Sequence, residues 1–239
     1  MTRGSDVSTA PRSRRWRPIT AIIAVLVVLG GLTAVAYFTP LMSVRSVDVT
    51  GTRTVDTNEV LRVAQVPEGR PLLRVDTAAI AQRVSSLPAV ESVNVSVGYP
   101  STVTVAVVER TPLVTVPRDG KIGVMDRLGM VYLTFDDAKA LPKDLRALPT
   151  LKMENPAASN PTTKAALTVI EDLPDWLRAN VTAVTAESPS GISLTLKSGR
   201  TAVWGDAERT DDKAEALRHL LTVKGTEYNV SSPEFASVR

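Results

Sequence analysis

The longest apolar run in the chain, residues 19–38, reads ITAIIAVLVVLGGLTAVAYF and contains no charged residue. About 20 such residues at 1.5 Å rise match the roughly 30 Å hydrocarbon layer of a bilayer, so the run is a transmembrane-helix candidate. Arg3, Arg12, Arg14, Arg15 and Arg17 crowd its N-terminal side, whereas the first basic residue beyond it is Arg45. That asymmetry predicts a basic tail, residues 1–18, in the cytoplasm and export of everything from residue 40 onward. Tyr37 and Phe38 then fall at the outer interface. A cleaved signal peptide is the competing reading, because Ala34, Val35 and Ala36 form an A-x-A pattern and Gly30 with Gly31 ends a shorter apolar core. The run continues past the glycines without a polar stretch, which favours a retained anchor. Both readings export the rest.

Beyond the run the pattern turns to period two. Val44, Val47 and Val49 alternate with polar residues up to Gly51, a strand and its turn. Asp56 with Glu59 forms a capping box ahead of Val60, Leu61 and Ala64 at helical spacing. Asp76 caps a second helix with Ile80, Val84 and Leu87 on one face, and Pro88 stops it. Val90, Val93, Val95 and Val97 lead through Tyr99, Pro100 and Ser101 to Val103, Val105 and Val107, a hairpin. The order strand, helix, helix, strand, strand over residues 44–112 predicts an α+β unit with two helices on one face of a small sheet.

After Pro112 short strands follow at 113–116, 121–125 and 130–133, with a turn at residues 126–129. Residues 136–160 are polar and proline-rich and read as an irregular connection. Pro161 opens a helix that Pro174 ends. Strands are expected at 181–186, 192–196 and 201–204, a helix at 211–223 and a last strand at 227–231. Residues 113–239 thus predict a mostly antiparallel β-domain with flanking helices.

Charge sharpens this picture. Five of the 28 basic side chains and one of the 25 acidic ones fall within residues 1–18, leaving a formal charge of about −1 for the remainder. The folded part therefore offers no basic surface to a phosphate backbone, and nucleic-acid binding is not expected. There is no cysteine, which excludes a disulfide framework and a thiol nucleophile. The single histidine, His219, sits in a predicted helix beside Arg218 and reads as a surface side chain. No nucleophile elbow, zinc-protease or phosphate-loop motif is present, so neither catalysis nor a small-molecule substrate, metal or cofactor is expected.

The first unit resembles the POTRA domain of the FtsQ/DivIB family of bacterial cell-division proteins. The resemblance rests on Gly51, Glu59-Val60, Gly69 with Leu72, Asp76, Leu87-Pro88 with Val90, Pro100, and Glu109-Arg110 with Pro112. Gly51, Gly69, Pro100 and Asp76 also have plain structural readings as turn formers and a helix cap. Glu109 and Arg110 point to opposite sides of a strand, and either a structural role at the junction or a contact surface is open to them. The second unit resembles the family's β-domain at Gly199, Val203-Trp204-Gly205, Lys213, Leu217 and Leu220-Leu221. Its ending, residues 228–233, is similar to that of actinobacterial members. Trp204 reads as a core or interdomain anchor, with a binding role as the alternative.

The resemblance implies a non-enzymatic, single-pass scaffold of the divisome, N-terminus in the cytoplasm and C-terminus outside, concentrated at the septum. It implies binding to FtsB and FtsL. A POTRA-bearing assembly or translocation factor is the alternative, though only one such unit is visible and no barrel follows it. Alternation of Tyr228 and Val230 with Asn229 and Ser231, interrupted by Pro233, predicts a strand at a sheet edge. An unblunted edge invites a partner strand. By family resemblance the partner-binding residues are Tyr228, Val230, Ser231, Ser232 and Phe235, with the helix bearing Lys213 and Leu220 beside them; a frayed tail is the bland alternative.

Overall fold

A computed structural model describes residues 17–38 and 42–239. The expected cytoplasmic tail, but for its last two residues, lies outside the described residues. The chain divides into two compact units between Glu109 and Arg110.

In the first unit, α1 (Arg17–Phe38) is a 22-residue helix. Its described side chains, residues 21–32 and Val35, are exposed, among them Ile22, Leu26, Val27 and Leu32. Among the described residues no helix is long and apolar enough to cross a membrane. The anchor expectation therefore rests on the sequence of the whole run.

β1 (Ser46–Thr50), α2 (Thr57–Ala64), α3 (Thr77–Ser85), β2 (Val90–Gly98) and β3 (Thr102–Glu109) follow in the expected order. β3 lies at the centre of the sheet, antiparallel to β2 and parallel to β1. Asp76 caps α3 by accepting the Ala79 N–H at 2.9 Å, and Asp56 caps α2 by accepting the Asn58 N–H. The reciprocal half of the expected capping box is not formed. Glu59 pairs instead with Arg62, 3.4 Å away and one turn ahead on the same helix face. Val60, Ile80 and Val84 from the helices meet Val103, Val105 and Val107 from β3, all essentially buried. Each such side chain stabilises the unit by about 1.5–3 kcal/mol relative to exposure. Gly51 has φ +85, and a Cβ there would strike the Val107 carbonyl oxygen. Only glycine lets the chain turn this close to β3.

The second unit holds β4 (Pro112–Arg118), β5 (Lys121–Asp126), β6 (Val131–Phe135), β7 (Thr150–Lys152), α4 (Pro161–Asp172), α5 (Asp175–Arg178), β8 (Val181–Ala186), β9 (Ile192–Leu196), β10 (Thr201–Gly205), α6 (Thr210–Leu220), β11 (Glu227–Asn229) and β12 (Ser237–Val238). The strands form one nine-stranded sheet in the order β12-β11-β10-β9-β8-β7-β4-β5-β6. Five of its pairings are antiparallel; β4–β7, β7–β8 and β10–β11 are parallel. The chain is thus of the α+β class.

Several features depart from the pattern-based expectation, among them the short helix α5 and the end of α6 at Leu220, three residues early. β7 lies in the stretch read as irregular, and it joins the β4–β5–β6 meander to the β8–β9–β10 meander. β11 ends at Asn229, not Ser231. β12 was not expected at all. The core packs Leu167 and Ile170 of α4 and Leu217 of α6 against Ile192, Leu194 and Trp204, and Trp204 is fully buried.

Candidate functional site: the C-terminal sheet edge

β11 runs parallel to β10, with Ala202 opposite Tyr228 and Val203 opposite Asn229. The chain then leaves the sheet through a 3-10 turn (Pro233–Phe235) and returns as β12, antiparallel to β11. Arg239 N–H donates to Glu227 O at 2.8 Å and Glu227 N–H donates back to Arg239 O at 3.1 Å. A mutually bonded pair at Glu227 and Arg239 makes the adjacent pair, Tyr228 and Val238, non-bonded. The N–H and C=O of Val238 therefore point away from β11. They form the open rim of the nine-stranded sheet.

This arrangement corrects the expected site in part. β11 is not the outermost strand, and Tyr228 is fully buried. Its hydroxyl donates to Val223 O at 2.9 Å and Gly225 O at 3.1 Å, fixing the loop after α6. Val230 is also buried, and its N–H donates to Val203 O. Lys213 is 2% exposed, with Nζ 2.6 Å from Asp206 Oδ1 and 3.0 Å from Asp206 O. That amine lowers the Asp206 carboxyl pKa by hydrogen bonding. Leu220 is half-buried against the core. These four side chains build the edge from beneath, because the short return of β12 covers the strand that the sequence pattern left open.

The remaining three lie at the surface or near it. Ser231 is half-buried, and its N–H and hydroxyl both donate to Asn229 Oδ1, at 3.0 and 2.7 Å. A Cβ on Gly205 would come within 2.9 Å of Ser231 Cβ, so glycine (φ +83) permits this crossing. Ser232 is exposed, and Phe235 is 85% exposed. The turn is held in place by Glu234, which pairs with Arg209 while Arg209 also bonds Asp212 at 2.9 Å. Its own backbone N–H and then the Arg209 guanidinium hold the Glu234 carboxyl below its ordinary pKa. Sequence reasoning missed Ser237 and Val238. A two-residue strand is too short to show alternation.

Glu109 and Arg110 hold different partners. Glu109 accepts the backbone N–H groups of Arg53, Thr54 and Val55 and the Thr54 hydroxyl. Burial raises its pKa, but the Thr54 hydroxyl and these three N–H groups outweigh that and hold the carboxyl at about 2. Arg110 donates to buried Asp126. His219 is exposed, 3.3 Å from Glu215 on the same helix. Among the described residues no group of three or more acidic or histidine side chains is placed to hold a metal.

Residues 42–110 match the family described as "POTRA domain, FtsQ-type", and residues 114–238 match "Cell division protein FtsQ/DivIB, C-terminal". Over 221 residues the chain is 44% identical to the cell division protein FtsQ of Mycobacteroides abscessus, covering 92% of this chain and 67% of that one. Against that of Mycolicibacterium smegmatis the identity is 42% over 219 residues, 92% and 63% of the two chains. Against that of Corynebacterium glutamicum it is 31% over 225 residues, 92% and 96%. The chain thus spans about two thirds of the length of these mycobacterial relatives and nearly all of the corynebacterial one.

Proposed function

The chain belongs to the FtsQ/DivIB family of cell-division proteins, and from that premise we propose that it is a membrane-anchored, non-enzymatic scaffold of the divisome. It holds FtsB and FtsL at the septum through the C-terminal edge of its second unit. The observation that carries this reading is the outward-facing backbone of Val238, with the 85% exposed ring of Phe235 three residues earlier in the chain. An open rim supplies main-chain hydrogen bonds to an incoming strand, and an exposed aromatic in the turn that leads to it supplies a specific anchor. The expected residues divide accordingly. Phe235, Ser231 and Ser232 meet the partner, whereas Tyr228, Val230, Lys213 and Leu220 position the strand pair that presents the rim.

In this reading residues 19–38 cross the plasma membrane, with residues 1–18 in the cytoplasm and both folded units outside. The uncharged length of the run and its arginine flank support that orientation. Protease added to spheroplasts should digest all but a small protected fragment.

The binding reading is tested by co-purification of FtsB with the full chain and with Val238→Pro. Proline removes the outward N–H and leaves the Glu227–Arg239 bonds in place. Loss of FtsB from a variant with an unchanged melting temperature supports the reading; undiminished capture overturns it.

A further inference from the structure

β2 (Val90–Gly98) is an edge strand of the three-stranded sheet, nine residues long, with the sequence VESVNVSVG. From Ser92 to Val97 its side chains alternate. Val93, Val95 and Val97 are half-buried toward the core, while Ser92, Asn94 and Ser96 are exposed on the outer face. Edges of this length are ordinarily blunted by lysine, proline, inward charge or a covering loop. From Ser92 to Gly98 there is no charge and no proline. The strand's only charged residue, Glu91, sits at its start, inside the register shift between Val90 and Ser92. The opposite edge is built differently, since β1 has five residues with Asp48 at its centre.

The open edge also reads the same in both directions: Ser92-Val93-Asn94-Val95-Ser96 is a palindrome about Asn94. We propose that β2 strands from two copies of this chain pair antiparallel about a twofold axis through Asn94. Asn94 then faces Asn94 of the second copy, Val93 faces Val95, and Ser92 faces Ser96. This register overlaps the whole strand, puts Val93 against Val95 on the core side with Val97 opposite Glu91 at each end, and puts hydroxyl and amide groups opposite one another outside. A one-residue slip sets valine against serine along the strand and loses both ladders. Because opposed residues share parity, the register satisfies the outward N–H and C=O groups whichever alternate set faces the edge. An isologous contact of this kind closes on itself and makes a dimer, not a filament.

A single strand pair buries less than the roughly 1,200–2,000 Å² of a stable interface, so the association is weak and depends on local concentration.

The chain contains no cysteine, so one introduced thiol reports one position. Directly opposed residues in an antiparallel pair have Cα atoms about 4.5–5.5 Å apart, within disulfide range, and diagonal neighbours lie beyond it. In cells expressing the full chain and treated with a mild oxidant, Asn94→Cys should give a dimer band by itself. Ser92→Cys should give one only when co-expressed with Ser96→Cys. Absence of dimer at Asn94→Cys, homotypic crosslinking of Ser92→Cys, or a band from Asn94→Cys with Ser96→Cys that exceeds Asn94→Cys alone overturns the proposed pairing. So does crosslinking to a different protein in place of the dimer.

A second measurement uses charge at the same exposed position. Co-purification of two differently tagged copies should fall when both carry Asn94→Lys or both carry Asn94→Glu, and recover several-fold when one carries each. Equal capture in all three combinations overturns the twofold contact.

Discussion

The guanidinium of Arg110 donates to the carboxylate of Asp126, which is fully buried and also accepts the N–H groups of Leu128 and Met130 at 3.0 and 2.8 Å. One side chain therefore ties the segment leading into β4 to the β5–β6 turn.

Removing one partner of a buried pair leaves an uncompensated charge, at a cost of about 3–5 kcal/mol. Asp126→Ala should lower the unfolding free energy of the second unit by about that amount. Chemical denaturation of the full chain, followed at the second unit's tryptophans, checks it. A loss below about 1 kcal/mol, the worth of an exposed pair, would show that the contact is solvent-screened.

Glu109 predicts a pH dependence confined to the first unit. Its folded pKa of about 2 lies below the ordinary 4.5, so its contribution is fully present above about pH 4.5 and is lost as pH falls toward 2. Glu109→Gln should flatten the acid limb of the first unit's stability curve between those values and leave neutral-pH folding intact. Hydrogen exchange in α2 as a function of pH reads this directly, and an unchanged acid limb in the variant would contradict it.

Lys213 acts on folding, since its amine is buried on Asp206. Lys213→Met keeps the apolar stem and removes the bond, which should cost about 1–3 kcal/mol. Capture of FtsB at low temperature, with the protein folded, should stay unchanged. Weakened capture by the folded variant would return Lys213 to the contact surface.

Phe235→Ala should do the reverse. A ring this exposed contributes little to folding, within about 0.5 kcal/mol. Its loss from a partner's pocket should weaken capture by about tenfold or more, as for an interface anchor worth 1.4 kcal/mol or above. Titration of the partner against both proteins provides the comparison.

Strands β2, β3, β8 and β9 were legible because alternation over five or more residues leaves one interpretation of their faces. Helices α2, α3 and α4 were legible from Asp56, Asp76 and Pro161, each of which starts a helix for a local reason, whereas the four-residue α5 carries no period. β7 was not, because three residues beside Pro149 carry no period and owe their conformation to the strands on either side. β12 was hidden for the same reason. Its absence from the sequence reading turned Tyr228 and Val230 into surface residues on paper. Phe235 lies in the turn that begins at Pro233, and it was named by family resemblance, not by any local pattern.

Addition of a partner strand to β12 is tested most directly by amide exchange at Val238. In the free protein the Arg239 N–H is bonded to Glu227 O, whereas the Val238 N–H faces outward and should exchange at close to the open-chain rate. Binding of FtsB should protect Val238 strongly and change Arg239 little. A complex that forms while Val238 still exchanges freely would contradict strand addition at this edge.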